Sequence, residues 1–215
     1  MPTSSITTED MTVADLLANF GPIAMVRIRQ IPAPGTATEQ DVVDIYEREK
    51  RLYELTDGVL VEKTVGTHEA LLALYIGGLL AEFVRCRHLG FALGADGMAR
   101  LVPGLVRIPD VSVVLWDQLP HRRVPRGPML NFAPALAVEV LSPSNTRKEM
   151  DRKLRDYFAA GVRLVWYVDP NARKVQVFAA VDQAKTLEEQ DTLTGEPLLK
   201  DFVLPLRELF AELER

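Results

Sequence analysis

Residues 135–170, ALAVEVLSPSNTRKEMDRKLRDYFAAGVRLVWYVDP, decide the fold. Two apolar runs, 135–141 and 164–168, have the length and composition of buried strands. Between them, apolar residues recur at helical spacing over 146–160: Met150, Leu154, Tyr157 and Phe158. A strand, a helix and a second strand in this order are typical of a crossover whose two strands lie side by side. Ser144 or Asn145 is expected to cap the helix.

The rest of the chain adds strands and helices around this unit. Helical patterns cover 11–20, 38–51 and 69–87, and Asp57-Gly58 between two short apolar runs predicts a hairpin. A second hairpin is expected about Pro103-Gly104, with its second arm running on past Asp110. Strands outnumber helices. The predicted fold class is therefore α/β (mixed α+β), a central mixed β-sheet flanked by helices.

Composition restricts the kind of protein. With 47% hydrophobic and 26% charged residues in a 215-residue chain, it is typical of a globular protein. No apolar run approaches the roughly 18 residues that would cross a membrane. The single cysteine, Cys86, excludes an intramolecular disulfide and a cysteine-cluster zinc site. The first residues, MPTSSITTED, lack the features of a secretory signal, so a cytoplasmic location is expected.

Two carboxylates stand in apolar surroundings. Glu139 lies in the middle of the first apolar run, where an unpaired carboxylate is costly. Asp110 poses the same problem at the entrance to VSVVL, and its separation of 139 − 110 = 29 residues from Glu139 fits neighbouring strands. Two such carboxylates can share a divalent cation, and hard oxygen ligands favour Mg²⁺ or Mn²⁺. The sequence therefore predicts a magnesium or manganese site.

Lys153 is a third candidate. It lies three residues after Met150 and four before Tyr157, so it borders the apolar face of the helix, within reach of Glu139. Two carboxylates, a cation and a lysine predict metal-assisted hydrolysis, with Lys153 positioning or activating the attacking water. Structural interpretations stay open: a turn residue bonded to the backbone for Asp110, a salt bridge between Glu139 and Lys153, or a lysine snorkelling at the surface.

The segments IPDVSVV, LAVEVLSPSN and DRKLRDYFAAGVRLVWYVDP resemble the PD-(D/E)XK restriction-endonuclease-like superfamily, in particular its bacterial Uma-two branch. The resemblance implies a nuclease domain over 38–215, preceded by an N-terminal helical extension and linker over 1–37. It also implies an endonuclease that acts on DNA. Asp110 and Glu139 match the acidic residues of the motif, and the carbonyl of Val140 is implied as a further metal ligand.

One position departs from the superfamily pattern. Position 141, where the pattern has a lysine, is Leu141. In the branch that the chain resembles, the lysine has moved to the following helix, where Lys153 stands. The departure leaves an alternative from another class: a catalytically inactive nuclease-fold protein that serves as a nucleic-acid-binding or assembly module.

Further residues are assigned by the resemblance or by their position. Glu54 in LYEL resembles an acidic residue that completes the metal site, and its alternative is an exposed charge on a short strand. Candidate phosphate or DNA contacts lie at the starts of the two main helices: His68, Ser142, Ser144, Asn145 and Arg147. A homodimer, or packing on the chain's own domain, would cover the apolar residues of the extension: Leu16, Leu17 and Phe20.

Overall fold

The computed structural model describes residues 11–64 and 66–214, so residues 1–10 of the predicted extension, with the expectation about a secretory signal, lie outside it. The described residues form five α-helices: α1 Val13–Phe20, α2 Glu39–Glu49, α3 Thr67–Cys86, α4 Arg147–Ala159 and α5 Leu206–Ala211. They also form twelve strands: β1 Tyr53–Thr56, β2 Val59–Glu62, β3 Gly90–Leu93, β4 Ala99–Val102, β5 Leu105–Arg107, β6 Val111–Leu115, β7 Leu136–Val140, β8 Leu164–Asp169, β9 Lys174–Ala180, β10 Gln183–Glu188, β11 Thr192–Gly195 and β12 Leu199–Pro205. In these ranges, no helix combines the length and the apolarity that crossing a membrane requires.

The largest sheet has six strands in the order β10-β9-β8-β7-β6-β3. Strands β7 and β8 are parallel, and the other neighbours are antiparallel. Helix α4 connects the two parallel strands, as the sequence predicts. The mixed sheet with helices on it confirms the predicted fold class.

Helices cover both faces of this sheet. On β7, Leu136, Val138 and Val140 share one core with α3, whereas Ala137 shares another core with α4. Alternation along a strand therefore places the side chain of Glu139 on the α4 face. The carboxylate therefore faces α4 and lies outside the core that β7 forms with α3.

A second sheet has four strands in the order β2-β1-β5-β4. The hairpin of β1 and β2 turns at Asp57-Gly58, as predicted, with both residues in the left-handed backbone region. The prediction that the second hairpin's arm continues past Asp110 is wrong: β5 ends at Arg107, and β6 begins at Val111 in the six-stranded sheet. Pro109 has no N–H to donate to a ladder, which favours a break there. Asp110 thus stands where the chain passes between sheets.

The start of α4 also differs from the prediction. The cap is Thr146, not Ser144 or Asn145: the Thr146 hydroxyl accepts the Glu149 N–H at 3.0 Å, and the Glu149 carboxylate accepts the Thr146 N–H at 3.3 Å. Threonine and glutamate three residues apart form a capping box, which satisfies two otherwise free N–H groups.

The described part of the N-terminal segment packs on the rest of the chain. Leu16 and Phe20 are buried in one cluster with Val59 and Val61 of β2, whereas Leu17 stays 45% exposed. The Thr146 hydroxyl also donates a hydrogen bond to the carbonyl of Phe20. Packing on its own chain therefore covers two of the three apolar residues.

Candidate active site

Asp110 and Glu139 come together at the ends of two neighbouring strands. In the antiparallel pair β6 and β7, Val111 lies opposite Val138, and this register brings Asp110 and Glu139 opposite each other. Both residues and Val140 line a cavity of about 20 Å³. A cavity of this size has room for about one water-sized group.

Asp110 is bonded through both carboxylate oxygens. Oδ2 accepts the N–H of Val140 at 2.7 Å, and Oδ1 is 2.9 Å from Nζ of Lys63. The ammonium of Lys63 also donates to the carbonyl of Ile108 at 2.6 Å. The backbone-bonding interpretation of Asp110 is thus present in the structure, together with a lysine that the sequence motifs do not single out.

Glu139 is buried and has three hydrogen bonds. The hydroxyl of Tyr157 donates to Oε1 at 2.5 Å, and Nζ of Lys153 lies 3.2 and 3.3 Å from the two oxygens. Burial raises the pKa of this carboxyl, opposed by Lys153 and reinforced by Glu54. The partners on α4 therefore offset the cost of a carboxylate in an apolar strand, and the salt bridge considered from the sequence is observed.

Lys153 is shared by two carboxylates. Its Nζ is 3.0 Å from Oε1 of Glu54 and 3.2 Å from Oε1 of Glu139. The residue is only 5% exposed, so it is not a snorkelling surface lysine. Burial lowers the pKa of Lys153, but Glu139 and Glu54 outweigh burial and raise it above its usual range. Lys153 is therefore held as an ammonium ion.

Glu54 belongs to this network and is not an exposed charge. It is 3% exposed on β1, its Oε2 accepts from Arg107 at 3.0 Å, and its Oε1 accepts the Ile108 N–H at 3.0 Å. Burial raises the pKa of Glu54, but Lys153 and Arg107 outweigh it and lower the pKa to about 2. Arg107 is fully enclosed and also pairs with Asp156.

The predicted phosphate contacts divide into two groups. Ser142, Ser144 and Asn145 form a bonded loop between β7 and α4: the Ser142 N–H donates to Asn145 Oδ1 at 2.9 Å, and the two serine hydroxyls are 2.7 Å apart. Asn145 lines the cavity. His68, exposed in the first turn of α3, and Arg147, with a 96% exposed side chain, do not line it.

The motifs do not single out three residues whose side chains bond to Asp110, Glu54 or Glu139: Lys63, Arg107 and Tyr157. Arg107 interrupts the apolar stretch LVRIP, which is the same signal that points to Glu139. Lys63 ends the strand-like run VLVEK, where a lysine is also typical of a solvated strand end. Tyr157 fits the apolar face of α4, and its position gives no indication that its hydroxyl bonds Glu139.

The cavity offers few protein ligands to a hard cation. Within 11–64 and 66–214, no group of three or more His, Cys, Asp or Glu side chains is arranged to hold a metal ion. Of the residues that line the cavity, Asp110, Glu139 and Val140 carry the carboxylate and carbonyl oxygens that would hold such a cation, and each of the two carboxylates is paired with a lysine in this structure. Mg²⁺ is commonly held by one or two carboxylates and keeps several waters. The residues present therefore fit Mg²⁺ or Mn²⁺ with water or phosphate as the remaining ligands.

The fold is that of a restriction-endonuclease-like protein, and two comparisons agree with this class. The sequence profile of Uma2, described as "Putative restriction endonuclease", matches residues 40–207. This match spans more than half of the chain, and the protein belongs to the Uma2 family.

Among solved structures, the chain is similar to "a putative nuclease belonging to DUF820" from Anabaena variabilis ATCC 29413. The TM-score is 0.68 at 16% sequence identity, and the alignment covers 80% of this chain and 98% of that chain. At this identity the likeness concerns the fold alone. No curated protein matches the chain.

Proposed function

We propose that the protein is a Mg²⁺- or Mn²⁺-dependent endonuclease that hydrolyses phosphodiester bonds in DNA. The observation that carries the proposal is the meeting of Asp110, Glu139 and Lys153 at one cavity, because two carboxylates and a lysine are the groups that metal-assisted phosphodiester hydrolysis needs. Membership of a family described as "Putative restriction endonuclease" supports DNA as the substrate.

Each residue at the cavity has a separate role in the proposed reaction. Asp110, Glu139 and the carbonyl of Val140 would hold the cation, which would neutralise charge at the phosphate and lower the pKa of the attacking water. Lys153 donates hydrogen bonds that orient the attacking water and stabilise negative charge developing on the phosphate. Glu54 pairs with both Arg107 and Lys153, so we assign it to hold Lys153 in place.

The surroundings of the cavity provide the proposed contacts with DNA. Ser142, Ser144 and Asn145 lie in the loop beside the cavity, which supports a contact with the phosphate next to the scissile bond. His68 and Arg147 are exposed outside the cavity and would meet DNA farther from the cut. A cytoplasmic location and a homodimer stay predictions.

A second candidate function is a nuclease fold without turnover that binds nucleic acid or assembles with it. The observation that favours it is the complete pairing of both carboxylates, Asp110 with Lys63 and Glu139 with Lys153. Such pairs also occur in structural networks. Leu141 at the position of the superfamily's lysine points the same way.

The experiment compares Asp110→Asn and Glu139→Gln with Asp201→Asn, which changes an exposed carboxylate paired with Arg87. Plasmid, linear duplex and single-stranded DNA are incubated with Mg²⁺ or Mn²⁺, and Mn²⁺ affinity is measured by calorimetry without DNA. We expect both site variants to lose cleavage and Mn²⁺ binding, and Asp201→Asn to keep both. Wild-type protein that binds DNA but cuts none of these substrates would establish the second candidate instead.

A further inference from the structure

Arg27 links the N-terminal segment to the candidate active site. It ends a one-turn 3-10 helix, Met25–Arg27, and precedes the residues 40–207 that match the family profile. Although arginine is seldom buried, this residue is only 5% exposed. It lines the same cavity as Asp110 and Glu139.

The guanidinium joins three elements through four hydrogen bonds. Nε donates to the carbonyl of Glu62 at the end of β2 at 3.1 Å, and one terminal nitrogen donates to the carbonyl of Ser144 at 3.0 Å. The two terminal nitrogens hold the carboxylate of Glu149, in the first turn of α4, at 3.0 and 2.8 Å. A planar guanidinium can serve several acceptors in a fixed geometry, which an ammonium cannot do.

Each element that Arg27 holds carries a residue of the site. Lys63, the partner of Asp110, directly follows Glu62, and Asn145 directly follows Ser144. Lys153 lies four residues after Glu149 on the same helix. Fixing the three acceptors therefore fixes the backbone that presents two lysines and an asparagine to the cavity.

We infer that Arg27 is a positioning residue for the proposed nuclease, and that the N-terminal segment is thereby a working part of the active site. The inference rests on the proposed function. Arg27 acts through Lys63, Asn145 and Lys153, because its bonds go to protein groups that carry these residues.

The same segment supplies a matched control. Arg29 makes an equally bidentate pair with Glu49, at 2.9 and 2.7 Å, only two residues farther along the chain. Its side chain and that of Glu49 are 21% and 37% exposed, and neither residue lines the cavity. Arg29→Gln thus removes a similar ion pair from the same segment without touching the site.

The test measures kcat and KM for DNA cleavage with Mn²⁺ in Arg27→Gln, Arg27→Lys and Arg29→Gln, well below each variant's unfolding temperature. Calorimetry reports Mn²⁺ affinity without DNA. We expect kcat of Arg27→Gln to fall by about 10- to 100-fold with little change in KM, the order of loss from misplaced reacting groups. Arg27→Lys keeps the charge, and its kcat should lie between those of Arg27→Gln and the wild type. The kcat of Arg29→Gln should equal that of the wild type.

Three results would overturn the inference. One is a folded Arg27→Gln whose kcat equals that of the wild type. The second is a loss of kcat in Arg27→Gln that the fraction of unfolded protein fully explains, which marks a purely structural role. If Arg27→Gln does not fold, the same two criteria are applied to Arg27→Lys. The third is wild-type protein that neither binds Mn²⁺ nor cuts DNA, which would overturn the proposed function as well. The first two leave the proposed function standing.

Discussion

Lys153 is held between Glu54 and Glu139, so its replacement removes one positive charge that both carboxylates share. For Lys153→Met, which keeps the packing of the stem, we predict a higher affinity for Mn²⁺, because a positive charge leaves the cavity. Cleavage should fall by about 10²- to 10³-fold, the order expected for one positioned electrostatic or acid–base group. Calorimetry and single-turnover kinetics measure the two effects. An unchanged cleavage rate would leave Lys153 with a structural role only.

Leu141 offers a way of returning the lysine to the superfamily's position. Leu141 is partly buried against the cluster that contains Met150 and Leu154, which is the side of the sheet that Glu139 faces. Adding Leu141→Lys to Lys153→Met should therefore restore part of the single-turnover rate. The matched control is Leu141→Met in the same background, which fills the site without a charge and should restore nothing.

Because folding lowers the pKa of Glu54, we expect the stability of the protein to fall with pH in the acid range. Its pKa falls from 4.5 to about 2 on folding, so the ionised form stabilises the folded state above pH 4.5 and this stabilisation is lost as pH falls toward 2. Urea unfolding of the wild type and Glu54→Gln at several pH values between 7 and 3 should show a difference that shrinks with acidity. A difference independent of pH would contradict the pairing.

Helix α3 contains two glycines whose surroundings differ. A Cβ on Gly77 would meet Val111 of β6 at 3.4 Å, at the short end of ordinary contact, whereas a Cβ on Gly78 would meet nothing within 4 Å. Gly78→Ala should therefore raise the free energy of unfolding by about 1 kcal/mol through helix propensity alone. Gly77→Ala should gain less. Chemical denaturation measures both, and a destabilised Gly78→Ala would mean that the helix needs the glycine for another reason.

The sequence predicts the helices and strands best where one pattern determines them. The unit of β7, α4 and β8 is predicted because its strands are continuous apolar runs and its helix has a clear apolar side. The passage from β5 to β6 is not, because the apolar pattern runs through Ile108 while the chain changes sheets there. Strands β10 and β11 are also missed, since the first four residues of β10 are all exposed and neither strand has more than one large apolar side chain.

The candidate site draws on parts of the molecule that are far apart in the chain. Glu54 comes from the four-stranded sheet, Glu139 from the six-stranded sheet and Lys153 from α4. The sequence indicates the carboxylates because charges are unusual in apolar runs. It does not indicate Lys63 or Arg27, because their importance comes only from the acceptors that folding brings to them.

The homodimer stays a prediction, and fewer exposed apolar residues support it than the sequence suggests. Leu16 and Phe20 are covered by the chain itself, which leaves Leu17 as the exposed member of the three apolar residues. A nuclease that cuts both strands of a duplex often pairs two sites, so we expect a mass of twice the 24.0 kDa chain in light scattering at high concentration. A monomer at every concentration would contradict the prediction.

The proposed function depends most on a divalent cation held by Asp110, Glu139 and the carbonyl of Val140. Crystals soaked in Mn²⁺, with anomalous diffraction recorded near the manganese edge, show whether this cation binds. We expect one strong anomalous peak in contact with both carboxylates and the Val140 carbonyl, and the same soak of Asp110→Asn should lack it. A map without that peak, in which Asp110 still pairs with Lys63 and Glu139 with Lys153, would overturn the proposed metal site.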